Sequence, residues 1–148
     1  MQRKSKTDSV RSPKYILDWV KKNWGMYFDP CPYVENWSSE KHTDGLKIEW
    51  GKVNYVNPPF SKSCSFLKKT YIEHTKGKIV VFLCKTSITG RKSFKGNCDI
   101  IFFRNAVCFP GYEGRPPPFV CCLLIFHPKS NNSFYIFEAL VGNEFQVM

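Results

Sequence analysis

Apolar residues at Ile16, Leu17, Val20 and Trp24 fall on one face at helical spacing, which predicts an amphipathic helix. Ser12-Pro13 supplies its start, a serine cap followed by proline in the first turn, and Gly25 is placed to end it. Tyr27-Phe28 then reads as a short strand closed by Asp29-Pro30-Cys31-Pro32. From Tyr33 to Lys47 periodicity is weak, so a long loop or one short helix is expected, with Asp44-Gly45 as a turn. Val53 to Val56 is β-branched and aromatic, a strand. A helix follows from about Ser63 to Lys76, capped by Ser61 or Ser63, burying Phe66, Leu67, Thr70 and Tyr71 and stopped by Gly77. The unbroken apolar run from Lys78 to Cys84 marks a strand covered on both faces. Strands near 99–103 and 119–126 flank a Gly/Pro-rich loop from Phe109 to Pro118, and Phe134 to Leu140 reads as a last edge strand. Strand, helix and strand in that order imply a right-handed parallel crossover. The expectation is a compact three-layer α/β domain.

The pattern turns on Asn57-Pro58-Pro59-Phe60, directly after the strand at 53–56. Proline donates nothing to a sheet ladder, so Pro58 and Pro59 stop the strand and stiffen the turn. The residue before a proline is driven extended, which holds Asn57 at the strand's carboxyl end, where open α/β sheets bind ligands. The turn offers an amide, carbonyls with no N–H beside them and a flat apolar ring. Those groups suit a planar ring bearing an exocyclic amine. Average residue usage puts Asn-Pro-Pro-aromatic in roughly one chain in a thousand of this length by chance.

At 148 residues the chain has room for one domain with a real core. Residues 1–11, with Arg3, Lys4, Lys6 and Arg11, read as a flexible basic arm, and 12–148 as a single domain. There is no apolar run of membrane-spanning length and no signal-peptide core, so a soluble intracellular protein of cytoplasm or nucleus is expected. The seven cysteines show no paired Cys-x-x-Cys spacing, and His42, His74 and His127 are scattered. They read as reduced core thiols and non-catalytic histidines, with no metal site. Twenty-two Lys and Arg against twelve Asp and Glu leave a net charge of +10, which favours a nucleic-acid partner.

The succession Ser12-Pro13, Phe28-Asp29-Pro30-Cys31, Glu35-Asn36, Asp44-Gly45-Leu46, Trp50-Gly51 and Asn57-Pro58-Pro59-Phe60 resembles the small phage-type DNA N6-adenine methyltransferases. The resemblance covers about 12–127, with strong motifs between 28 and 60. Three features depart from it. No Gly-x-Gly loop follows Asp29-Pro30, Phe60 replaces a commoner tyrosine, and Lys-Thr-Ser-Ile-Thr-Gly-Arg-Lys stands from Lys85 where the family shows an Arg-Thr-Asp-Thr-like run.

The resemblance implies a compact Rossmann-like fold with a mostly parallel sheet, S-adenosyl-L-methionine as cofactor, and methyl transfer to adenine N6 in DNA. It makes Asn57, Pro58, Pro59 and Phe60 catalytic, with the Asn57 oxygen and the Pro58 carbonyl accepting the amine hydrogens and Phe60 stacking on the base. Asp29, Pro30 and Cys31 would form the floor under the cofactor. Asp44 would accept from its adenine or ribose, and Ser12 would reach its carboxylate. Lys85, Arg91, Lys92 and Arg115, read as loop residues, are the candidates for phosphate. An RNA adenosine methyltransferase, and an inactive nucleic-acid-binding module on the same scaffold, are the alternatives. A homodimer or a separate specificity partner is compatible with so small a chain.

Overall fold

The computed structural model describes residues 10–34, 38, 40–103, 107, 109–110, 119–130, 132, 134–139 and 145–147, the last two stretches through their backbone. The first helix, α1, is Lys14–Trp24. Its Ile16 and Val20 are fully buried, and Gly25, at φ +80°, closes it with an N–H bonded to the Lys21 carbonyl. Pro13 rather than Ser12 holds the N-cap position, and no side chain caps the helix. The Ser12 hydroxyl is turned inward, to partners described below.

The expected strand around Tyr27-Phe28 amounts to one parallel bridge. The Phe28 N–H donates to the Val53 carbonyl at 2.8 Å, and its carbonyl accepts from the Tyr55 N–H at 3.0 Å. Strand β1 is Val53–Val56. A 3-10 turn, Phe60–Lys62, leads directly into α2, Ser63–Thr75. Neither Ser61 nor Ser63 caps α2. Carbonyls of the preceding turn do that work, Pro59 accepting from the Lys62 N–H and Phe60 from the Ser63 N–H. The remaining strands are β2 Ile79–Lys85, β3 Asp99–Phe103, β4 Cys121–Phe126, β5 Phe134–Ala139 and β6 Phe145–Val147.

Their order across the sheet is β1-β2-β4-β3-β5-β6. β1 and β2 are parallel, as the strand–helix–strand pattern requires, and so are β3 and β5. β4 runs antiparallel to both β2 and β3, and β6 antiparallel to β5. The sheet is therefore mixed, not mostly parallel, and β5 is not its edge. The cause is the return of the chain through β4, which runs opposite to the strands on both sides of it. Apolar runs such as Cys121–Phe126 are what a strand buried on both faces needs in either direction.

Alternation along the strands makes two cores. Tyr55, Val81, Leu83, Ile101, Cys121 and Leu123 meet Ile16 and Val20 of α1 on one face. On the other, Val56, Val80, Phe82, Cys122 and Leu124 meet Phe66 and Leu67 of α2. All six described cysteines carry free thiols, four of them buried. Among the described residues no helix is long and apolar enough to cross a membrane.

One polar cluster inside this packing was not anticipated. Glu73 of α2 has no exposed surface, yet it accepts from Lys69 at 2.8 Å and from Lys78 just before β2. Lys78 also donates to the Trp50 carbonyl at 2.8 Å, tying α2 to the approach to β1. Burial opposes the Glu73 carboxylate, but Lys69 and Lys78 outweigh it and hold the group down to about 2. The depressed value makes the pairing stabilising above pH 4.5, with that contribution lost as pH falls towards about 2. Glu73→Gln should therefore cost about 3 kcal/mol at neutral pH. The deficit should narrow in urea titrations repeated at pH 3; the same deficit at both pH values would rule the ion pairs out as its source.

Candidate active site

Asn57 leaves the carboxyl end of β1 on the same face as Tyr55, two residues earlier. Its side-chain nitrogen donates to the Val10 carbonyl at 2.9 Å and to the Ser12 hydroxyl at 3.0 Å. A carbonyl only accepts, so the contact with Val10 fixes which way the amide faces. The Ser12 oxygen also accepts from the Tyr55 hydroxyl at 2.8 Å. Burial drives the Tyr55 phenol far above its usual range, only partly offset by Ser12, so it stays a donor. Both amide hydrogens of Asn57 are thus used, and among the described residues nothing donates to its oxygen. Residues 1–9 of the expected basic arm lie outside the described residues, but Val10 is buried against this site. Arg11 lays its guanidinium over the Tyr33 ring, 4.9 Å from the centroid.

The second motif lies alongside. Asp29 Oδ1 accepts from the Cys31 N–H at 3.0 Å, a tight Asp-Pro-Cys turn. Burial pushes the Asp29 carboxyl up to about 6, against the opposing pull of that one N–H. No cation among the described residues pairs with it. Burial, and then the neighbouring Asp29, raise the Cys31 thiol well above the usual range, while the backbone N–H of Asn57 bonds to it. Cys31 is a neutral thiol packed under the catalytic candidate, and this contact joins the two motifs.

The third motif docks on the second. Asp44 caps the 3-10 turn Gly45–Lys47 by accepting from the Leu46 N–H at 2.9 Å. Gly45 lies so close to Pro30 that a Cβ there would come within 1.9 Å of the Pro30 carbonyl oxygen. The Trp50 indole N–H holds the Gly45 carbonyl at 2.8 Å. Trp50-Gly51 is structural in the same way. Buried Asn54 accepts from the Gly51 N–H and donates to the Gly51 and Ile79 carbonyls.

Phe60 is half-buried, with Phe119 edge-on at 4.7 Å between centroids. Lys85 sits over the Phe60 ring, its ammonium 4.5 Å from the centroid. Lys85 is therefore the last residue of β2 and not a loop residue. Arg91 and Lys92 are exposed just beyond the 3-10 turn Thr86–Gly90. Arg115 lies outside the described residues. His127 pairs with Asp99 at 3.1 Å at the opposite end of the sheet, and His74 packs edge-on against Phe126.

The sequence motifs thus assemble in pairs: Ser12 on Asn57, Cys31 under Asn57, and Gly45 on Pro30. Sequence reasoning missed Val10, Tyr55 and Phe119. Tyr55 carried the one available signal, a hydroxyl inside an otherwise apolar strand; the others needed the tertiary fold.

No curated protein and no solved structure matches the chain. The family described as DNA N-6-adenine-methyltransferase (Dam) matches residues 1–109, which include every site residue expected from the sequence except Arg115. That description is of enzymes that methylate adenine N6 in DNA. The chain belongs to the DNA N-6-adenine-methyltransferase (Dam) family.

Proposed function

We propose that this chain transfers the methyl group of S-adenosyl-L-methionine to the N6 amine of an adenine in DNA, on a compact Rossmann-like scaffold, with Asn57 as the residue that receives the amine. The observation that supports this most directly is the state of the Asn57 amide. Its two hydrogens are held by Val10 and Ser12, and its oxygen is left as an acceptor fixed in direction. An aromatic amine is a weak nucleophile because its lone pair is delocalised into the ring. An acceptor aimed at an amine hydrogen turns that lone pair out of conjugation and stabilises the positive charge that grows on nitrogen. The Pro58 carbonyl is the second acceptor, and Pro59 keeps the turn rigid. In duplex DNA the adenine is first rotated out of the stack.

The cofactor fits the residues on chemical grounds. Asp29 is a desolvated carboxylate with one backbone donor and no described cation, an anionic position suited to a cationic or hydroxyl-bearing ligand. S-adenosyl-L-methionine carries a sulfonium, an ammonium and ribose hydroxyls, and when bound it supplies an already activated methyl group. Asp29, Pro30 and Cys31 would hold it, with the second carboxylate oxygen of Asp44 as a further acceptor. Ser12 positions Asn57, and because its oxygen accepts from Tyr55 and Asn57 its own hydrogen is left to donate to the cofactor's carboxylate. Arg91, Lys92 and Arg115 are the candidates for the DNA backbone.

Two experiments test the reading. Asn57→Ala should lower tritiated-methyl transfer to duplex DNA by about 10²–10³-fold while calorimetric binding of the cofactor persists; loss of both would make the turn structural. Asp29 gives a pH signature. Below about pH 6 its carboxyl is protonated in the free protein, and a cationic ligand favours the carboxylate. Cofactor affinity should therefore rise by up to about tenfold per pH unit on approaching pH 6 and then level off. Asp29→Asn should bind weakly and flatly across that range, and a persistent pH dependence in this variant would exclude Asp29 as the linked group.

A further inference from the structure

The ring face that the reading above assigns to the target base is already covered. The Lys85 ammonium lies 4.5 Å from the Phe60 centroid and 5.1 Å from that of Phe119, in the corner made by two rings inclined at 65°. An ion at that height fills the layer that a stacked base would occupy. The backbone makes the placement definite. Lys85 is opposite Cys121 in the β2–β4 pair, and Phe119 enters just before β4. On β2, Val81 and Leu83 belong to the core on the Tyr55 side, so alternation puts Lys85 on that side too, with Phe60 and Phe119 packed against the same core. Among the described residues no carboxylate pairs with Lys85. Its attraction is to the two π faces, which hold a cation modestly and reversibly.

We propose that Lys85 is the placeholder of the base site: its ammonium fills the Phe60–Phe119 corner until a nucleic-acid phosphate draws it off, so that a base is admitted only as part of a polynucleotide. This rests on the assignment of Phe60 to the target base. A nucleoside brings the same ring and no phosphate, so it must displace the ammonium unaided. A strand brings a phosphate anion beside the base, and the ammonium gains a charged partner as it leaves the ring. Phe119 then becomes the second wall of the base site. Lys85 is a positioning and specificity residue, acting on which substrate can enter.

The test is a binding measurement, independent of methyl transfer. 2-Aminopurine deoxyribonucleoside, and duplex DNA carrying 2-aminopurine at the target position, are titrated by their change in emission. Wild type is compared with Lys85→Met, which keeps the length and removes the charge, and with Lys85→Arg, which keeps both the cation and its affinity for phosphate. Lys85→Met should bind the nucleoside at least tenfold more tightly than wild type. It should bind DNA more weakly, with the slope of log affinity against log salt reduced by about 0.9, the loss of one phosphate contact. Lys85→Arg should behave as wild type. Equal nucleoside affinity in wild type and Lys85→Met, or weakening of nucleoside and DNA together, overturns the proposal. Absence of methyl transfer by a wild type that shows the expected binding pattern would instead fault the assigned reaction.

Discussion

The hydrogen bonds that Asn57 donates to Val10 and Ser12 are the constraint on which the site depends. Each neutral hydrogen bond is worth only about 1 kcal/mol to stability. Their importance is directional. An amide at a strand end can turn about its side-chain bonds and present either its oxygen or its nitrogen. A backbone carbonyl on one side removes that choice, and a hydroxyl that itself accepts from buried Tyr55 leaves little room for drift. Pro58 and Pro59 hold the backbone still at the same point. The segment before α1 thus completes a site whose main chain comes from β1.

Much of this was legible in the sequence because the relevant features are local. Helical spacing at Ile16 and Val20, the breaker at Gly25, the strand before Asn57 and the apolar run of β2 each leave their mark within a few residues, and each is found close to its expected place. The motifs also lie against one another, through contacts that hold the loops together. Asp44 caps a turn that Gly45 seats on Pro30, and Cys31 accepts from the Asn57 backbone. Helix caps were the weak point. A serine at a helix start is a sound inference until a stronger partner claims its hydroxyl, as Tyr55 and Asn57 claim that of Ser12. Nothing near Glu73 in sequence announces that it is buried, because Lys69 supplies one charge from a turn earlier and Lys78 arrives from beyond the helix.

The electrostatics of the molecule have two scales that do not conflict. The net charge of +10 acts at long range and suits a polyanion. Asp29 acts at contact distance. It is a carboxylate raised by burial inside a basic protein, with no described cation to neutralise it. Under the proposed function, the basic charge would serve the substrate and the desolvated anion the cationic cofactor, so that the two ligands would be attracted separately.

Strand direction is where pattern reading ended, and the difference matters for the site. In a wholly parallel sheet the carboxyl ends of β1 and β2 would be flanked by other carboxyl ends and the loops leaving them. Here β4 runs the other way, so its first residue, Cys121, faces Lys85, the last of β2. The chain entering β4 therefore passes over the very end of the sheet that carries Asn57. Phe119 arrives on that entering segment and meets Phe60 edge-on, with Lys85 between them. Two aromatic rings about sixty residues apart become one corner because a single strand is inverted. Apolar periodicity cannot report this, since a strand buried on both faces reads the same in either direction.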